Sequence, residues 1–309
     1  MKTITKLTFL LLIILCFASC KSSLNKKEVV DKNEVNYIPY YLKAYQADSL
    51  FLTNNFDKSY RLLDSLFKRY KPLNTQNINE YGIYIASAVM SNHIENIDDK
   101  IRYGILHLGS IGFSHPDIDT IQTKIYLKAS KMPVEEYKKM YAAYREKNVP
   151  KELDTLLVKM YDDDQAALNE NNEKQIVENE KTHKKIIRYI FSKYGYPSYN
   201  IQSKIQNKEG IPADLLIIML HQSVKTKKGY LKFLYDNLKK GVVSPFEYSS
   251  IVDKIYMEKN LSLYGTISNQ RIMYPEKLDS LRKSIGLPRY GYEKWAFEIN
   301  FPAEKNTSE

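Results

Sequence analysis

His221 stands directly after residues 215–220, the most apolar run after residue 20, which places its imidazole beside a partly dry interior where proton affinity responds to surroundings. Such a ring can act as a general base, or it can be a core histidine satisfied by a neighbouring backbone or side-chain group. The sequence leaves both open. Asp162, Asp163 and Asp164 follow one another and could attract a cation, but successive helical residues fan out by about 100°. The run also lacks the spacing of a calcium loop, so a solvated charge run is the simpler expectation. The sequence has no phosphate-cradling glycine-rich loop, no histidine pair at metalloprotease spacing and no glycine-flanked nucleophilic serine. No metal and no cofactor is expected.

Cys20 is the residue expected to carry covalent chemistry. Residues 1–19 open with Lys2 and Lys6, continue through an apolar stretch over 7–17 and close on Ala18-Ser19, the layout of a secretory signal. The apolar stretch is about half the roughly 20 residues that a bilayer-spanning helix needs. Phe17-Ala18-Ser19-Cys20 resembles a bacterial lipobox, with Phe17 where leucine is usual. The resemblance implies cleavage before Cys20 and acylation of that residue. The expected location is therefore the bacterial cell envelope, lipid-anchored in the outer membrane, with the periplasmic or surface face left open. Two or more acyl chains make such an anchor durable where one does not. The only other cysteine, Cys16, would leave with the leader, so the mature body is expected to rely on its hydrophobic core rather than on disulfides.

The formal net charge is +10 at pH 7 and falls to about +8 without Lys2 and Lys6. Lysines such as Lys71, Lys100, Lys124, Lys138, Lys159 and Lys184 are interleaved with acids, a pattern of solvated helix faces; with export, it argues against nucleic acid as a partner. Tyrosine occurs 26 times against 11 glycines and 11 prolines. Many rings and few breakers point to packed helices whose phenols end at the surface.

Hydrophobic period then sets the elements. Residues 20–36 are polar and charged and read as a tether. Over 37–150 helical hairpins are expected, marked by Tyr41, Ala44, Tyr45 and Leu52, then Leu63, Leu66 and Phe67, then Tyr81, Ile85 and Ala88, then Ile97, Ile101, Ile105 and Leu108. Two more helices are expected at 117–129 and 134–147. Around Ala44, Phe56, Ser59, Tyr81, Ala88 and Gly104, residues 37–112 resemble tetratricopeptide repeats, with Ser59 where alanine is favoured; a generic helical-hairpin domain fits the same residues. Asn148-Val149-Pro150 separates this segment from a second, mostly helical domain over 151–297, and 298–309 reads as a tail. The expected fold class is mainly α.

In the second domain a helical region over 151–194 should break near 169–172, and Tyr194-Gly195-Tyr196-Pro197 should turn. Helices follow at 215–220, 230–238, 246–259 and 275–285, with 261–270 irregular or short β. Asp164-Gln165, Gly195-Tyr196-Pro197, His221, Asp253 and Tyr264-Gly265-Thr266 occur here in an order shared with the bacterial family known as domain of unknown function 6624, which residues 160–288 resemble. The chain departs from that family at Ala166-Ala167-Leu168, where an arginine is common, at Lys254, where arginine is usual, and at Ile267, where glutamine is usual. Those departures remove donors that could hold an anion or a carbonyl.

The family has no assigned activity, so the resemblance implies a candidate pocket of Asp164, Gln165, His221, Asp253, Tyr264, Gly265 and Thr266 and no reaction. On a helical wheel Asp253 falls roughly 130° from the stripe of Tyr248, Ile251, Val252, Ile255 and Tyr256, a surface carboxylate unless another segment covers it. Gly265 suits a turn as well as a site. The leading expectation is a non-enzymatic lipoprotein, held to a membrane by its N-terminal lipid and binding a protein or peptide partner through the hairpins. The competing one is an enzyme or ligand-binding domain, intact or degenerate, with His221 as general base of a hydrolytic reaction. A purely structural spacer is the third.

Overall fold

The computed structural model describes residues 35–111 and 130–300. The leader with Cys20, all but the end of the tether, Gly112, the helix expected at 117–129 and residues 301–309 lie outside the described residues. Among those described, the chain is mainly α, with thirteen α-helices and one pair of two-residue strands.

Helical hairpins build the first half. α1 (Ile38–Leu52) and α2 (Phe56–Phe67) are joined by a tight turn in which Asn54 takes a φ of 60°, a left-handed conformation that asparagine tolerates better than most residues. α3 (Glu80–Met90) and α4 (Ile97–Leu108) follow, linked through left-handed Asn92 and Asn96. α1, α2 and α3 pack on one another, and α4 packs on α3 and on α5 (Val134–Asn148). Small residues set these approaches. Ser59 is fully buried and donates its hydroxyl to the Ala47 carbonyl at 2.9 Å, closing α2 on α1. A Cβ on Gly104 would stand 2.8 Å from Tyr81 Cε1.

Val149 is buried and Pro150 precedes α6 (Lys151–Asn169), so the chain turns into the second half without leaving the core. α6 packs on α7 (Glu173–Tyr194) across the expected break, where Asn172 caps α7 by accepting from Gln175 N. The short α8 (Tyr199–Gln202) leads to α9 (Leu215–His221), which packs on α6 and on the later α11. α10 (Val224–Lys239) and α11 (Pro245–Tyr256) form another hairpin. Ser244 and Glu247 make a reciprocal capping box at the start of α11. β1 (Leu261–Ser262) and β2 (Arg271–Ile272) pair in parallel, with Leu261 opposite Arg271. α12 (Leu278–Ser284) and α13 (Tyr292–Asn300) complete the described chain, α13 running past the expected start of the tail.

The described residues from Asn36 onward pack as one compact unit, and the corner at Pro150 lies inside it. α1 joins the halves. Tyr37 N donates to Lys239 O at 2.8 Å, Tyr41 OH to Val243 O at 3.0 Å and Tyr292 OH to Asp48 Oδ2 at 2.7 Å. The phenols therefore do not simply end at the surface. Tyr40 donates to the buried Glu80 at 3.0 Å and Tyr196 to the buried Glu247 at 2.7 Å. Burial raises both carboxyls above the usual range, with the donated hydrogen bonds opposing it.

Candidate functional site

The corner between α9 and α10 is fixed from both sides. Leu215, Ile218 and Met219 bury α9, and Asp214 caps its start by accepting from Leu216 N at 2.8 Å. The helix ends at His221, Gln222 extends, and Ser223 caps α10 by accepting from Thr226 N at 3.4 Å. Lys227, only 4% exposed, then reaches back to the Leu220 and Gln222 carbonyls at 3.1 and 2.6 Å. A cation satisfying the free carbonyls at a helix end is favourable, so Lys227 holds the His221 backbone in place. Burial lowers its own proton affinity, and the nearby Lys254 ammonium lowers it further.

The ring itself is oriented by α6. His221 Nδ1 lies 2.7 Å from Asp164 Oδ2, and Gln165 Nε2 donates to the same oxygen at 2.9 Å. Asp164 is buried while the His221 side chain is 33% exposed. An ionised Asp164 favours the proton on Nδ1 and leaves Nε2 as an acceptor, the orienting role a carboxylate plays for a general-base histidine. Asp162 and Asp163 point elsewhere: Asp162 accepts from Asn207 at 3.1 Å and Asp163 pairs with Lys159 at 2.8 Å. Among the described residues no group of three or more His, Cys, Asp or Glu is arranged to hold a metal ion.

Asp164 and His221 line a cleft of about 250 Å³, shared with Asn179 and Glu180 of α7, Gln222, Lys227 and Lys254 of α11. Glu180 accepts from Ser223 N and Thr226 Oγ1 at 3.2 and 3.3 Å, tying α7 to the corner. Burial pushes its carboxyl up, but these hydrogen bonds outweigh it and hold the group below the ordinary glutamate range. Asn179 donates to Asp163 O at 2.7 Å and clasps α6 to α7. One turn further along α7, His183 is 1% exposed, neither ring nitrogen has a hydrogen-bond partner, and desolvation lowers its proton affinity.

Asp253, Tyr264, Gly265 and Thr266 form a separate group. Asp253 is fully buried, because the chain around β1 covers the helix face on which the wheel placed it. Its two oxygens accept from Leu263 N, Tyr264 N, Thr266 N and Thr266 Oγ1 at 2.6–2.9 Å. Gly265 has a φ of +69°, and a Cβ there would stand 2.6 Å from Tyr290 Cε2, so the turn requires glycine. Tyr264 is buried, and desolvation raises its phenol well above the usual range. None of these four residues lines the cleft of Asp164 and His221, whereas Lys254, next to Asp253, does.

Sequence reasoning missed Glu180, Gln222 and Lys227 as parts of the site. Gln222 was signalled only by adjacency to His221, and Lys227 looks in sequence like any other lysine on a solvated face. Compared with known proteins, the chain matches no family model, no curated protein and no solved structure. No described helix is long and apolar enough to cross a membrane.

Proposed function

We propose that this chain is a lipid-anchored protein of the bacterial cell envelope whose helical body holds a small polar pocket, hydrolase-like in layout. In it His221 accepts a proton from a bound ligand or from a water attacking it. The observation carrying this reading is the 2.7 Å contact of Asp164 Oδ2 with His221 Nδ1 at the wall of a cleft. It combines a buried orienting carboxylate with a partly exposed imidazole, the arrangement that general-base catalysis needs. The motif order shared with domain of unknown function 6624 supports the choice of Asp164, Gln165 and His221, while Asp253, Tyr264 and Thr266 serve the fold beside it. The lipobox-like Phe17-Ala18-Ser19-Cys20 supports the anchor.

His221→Ala should leave the melting temperature within about 3 °C of the parent, as expected for a loss below about 1 kcal/mol in a chain of this size. The same variant should abolish turnover of any small ester or amide that the parent hydrolyses. A fall in stability of several kcal/mol with hydrolysis unchanged would make His221 a core residue. For the anchor, Cys20→Ser should end incorporation of labelled palmitate and release a folded protein; labelled and membrane-bound Cys20→Ser protein would reject it.

A second reading is favoured by a cleft of about 400 Å³ on the hairpin half, lined by Phe67, Pro72, Tyr81, Tyr84 and Tyr103. Aromatic side chains with one polar end suit a protein or peptide partner. Tyr103→Ala should then weaken partner binding without lowering stability by more than about 1 kcal/mol.

A further inference from the structure

Two buried amides line the His221 cleft, and they differ in what they are bonded to. Asn179 is spent: its nitrogen donates to Asp163 O and its oxygen accepts from Gln175, both at 2.7 Å. Gln222 is 3% exposed, its amide oxygen has no partner, and its hydrogen bonds to described residues run through its backbone. The Gln222 carbonyl accepts from Lys227 Nζ at 2.6 Å and its N–H donates to Met219 O at 3.3 Å, so the amide hangs from a fixed stretch of chain. A buried amide with an open acceptor costs free energy until a donor reaches it.

The groups around it are of both hydrogen-bonding kinds, and their charges cancel. Asp164 and Glu180 stand against Lys227 and Lys254 on the wall, and Glu258 further offsets Lys227. The donors that described residues bring to the two carboxylates fall on Asp164 Oδ2 and Glu180 Oε1, which leaves the second oxygen of each as an acceptor. On the donor side, Lys254 Nζ has only the Met257 sulfur at 3.6 Å, and Lys227 keeps one N–H beyond those given to the Leu220 and Gln222 carbonyls. An anion entering here meets two carboxylates and an ammonium meets two lysines, so neither sign of charge is favoured. An ester brings acceptors only and leaves the Gln222 oxygen open.

We propose that this pocket takes an uncharged primary carboxamide, the group that ends an asparagine or glutamine side chain, paired edge to edge with the Gln222 amide. A primary carboxamide carries one N–H on the same edge as its oxygen. It therefore meets the planar Gln222 amide with two antiparallel hydrogen bonds, whereas a hydroxyl offers its donor and acceptor at one atom. The inference rests on reading the cleft as a ligand site, and it narrows the ligand from any ester or amide to this one class. Holding the carboxamide by Gln222 keeps it in the cleft that His221 also lines, where orientation assists proton transfer.

The test is a titration of the full chain, labelled with nitrogen-15 at histidine and at glutamine side chains, with acetamide, methyl acetate, acetate and methylammonium. Saturable shifts of the Gln222 amide and of His221 with acetamide, and none with the other three at equal concentration, are expected. Gln222→Met, similar in length but without the amide, should weaken acetamide binding by at least about tenfold, as when a buried polar group loses its match. Lys225→Met, outside the cleft lining, should leave it unchanged. The comparison of the four probes on the parent chain holds whether or not Gln222→Met folds. Equal response to acetamide and methyl acetate, a stronger response to acetate or methylammonium, no response to acetamide, or undiminished acetamide binding in folded Gln222→Met would overturn the proposal. Acetamide binding with His221 protonated on Nε2 would instead remove the general-base reading and leave this one standing. Nδ1-protonated His221 in a cleft that acetamide does not enter would do the reverse.

Discussion

Asp253 accepts four hydrogen bonds with no exposure to solvent, and three of its donors are backbone N–H groups that nothing else satisfies so directly. Removing a buried charged acceptor strands those donors. Asp253→Ala should therefore cost about 3 kcal/mol or more, read from the denaturant midpoint at constant slope, whereas Thr266→Val, which deletes one hydroxyl, should cost about 1 kcal/mol. Equal, small effects of the two would mean the turn does not depend on the carboxylate. The helical wheel located Asp253 away from the apolar stripe of α11, which was legible; that β1 and its turn would cover that face was not, because the covering contact is set by tertiary packing. His221 was legible through the apolar run before it. Its partner Asp164, 57 positions earlier, was legible only through motif order.

At the scale of elements, α2, α3, α4 and the break between α6 and α7 follow from period and turn residues in the sequence. The sparse glycines gave little warning of the links, since asparagine does much of that work. Every described non-glycine residue with positive φ is asparagine, including Asn54, Asn92, Asn96 and Asn171. α10 begins at Val224, well before the expected residue 230, because Ser223 caps it and Lys227 faces inward. α13 was not expected, since its anchor Tyr292 packs on Tyr45 of α1, far away in sequence. Gly104 tests the hairpin packing. Its absent Cβ leaves room for Tyr81 and Ile111, so Gly104→Ala should destabilise by about 1–3 kcal/mol despite the better helix propensity of alanine. A variant more stable than the parent would show that α4 is looser against α3 than described.

At the scale of the whole molecule, α1 is held by residues from the far end of the chain. Tyr292 OH reaches Asp48 across 244 positions, and burial pushes that carboxyl up to about 6, against the opposing hydrogen bond from Tyr292. The folded protein thus keeps a proton that the unfolded chain releases from about pH 4. The contribution of this group to stability is fully present below the unfolded value and is lost as pH rises through the folded one. Asp48→Asn retains an acceptor for Tyr292 and removes the ionisation. Its stability relative to the parent should rise by about 2 kcal/mol between pH 4 and pH 7.5, allowing for partial exposure; a difference constant with pH would contradict the assignment. Such long-range pairs leave no periodic trace, and for the same reason the sequence could not show α1 bound to both halves.

On the proposed reading, Asp164 orients His221 as a proton acceptor at the wall of the cleft. Long-range proton–nitrogen spectra of labelled histidine measure this directly, since protonated and bare ring nitrogens resonate apart. The neutral His221 ring should carry its proton on Nδ1, with Nε2 bare, and Asp164→Asn should shift that preference. Nε2 protonated in the parent, unchanged in Asp164→Asn, would contradict it.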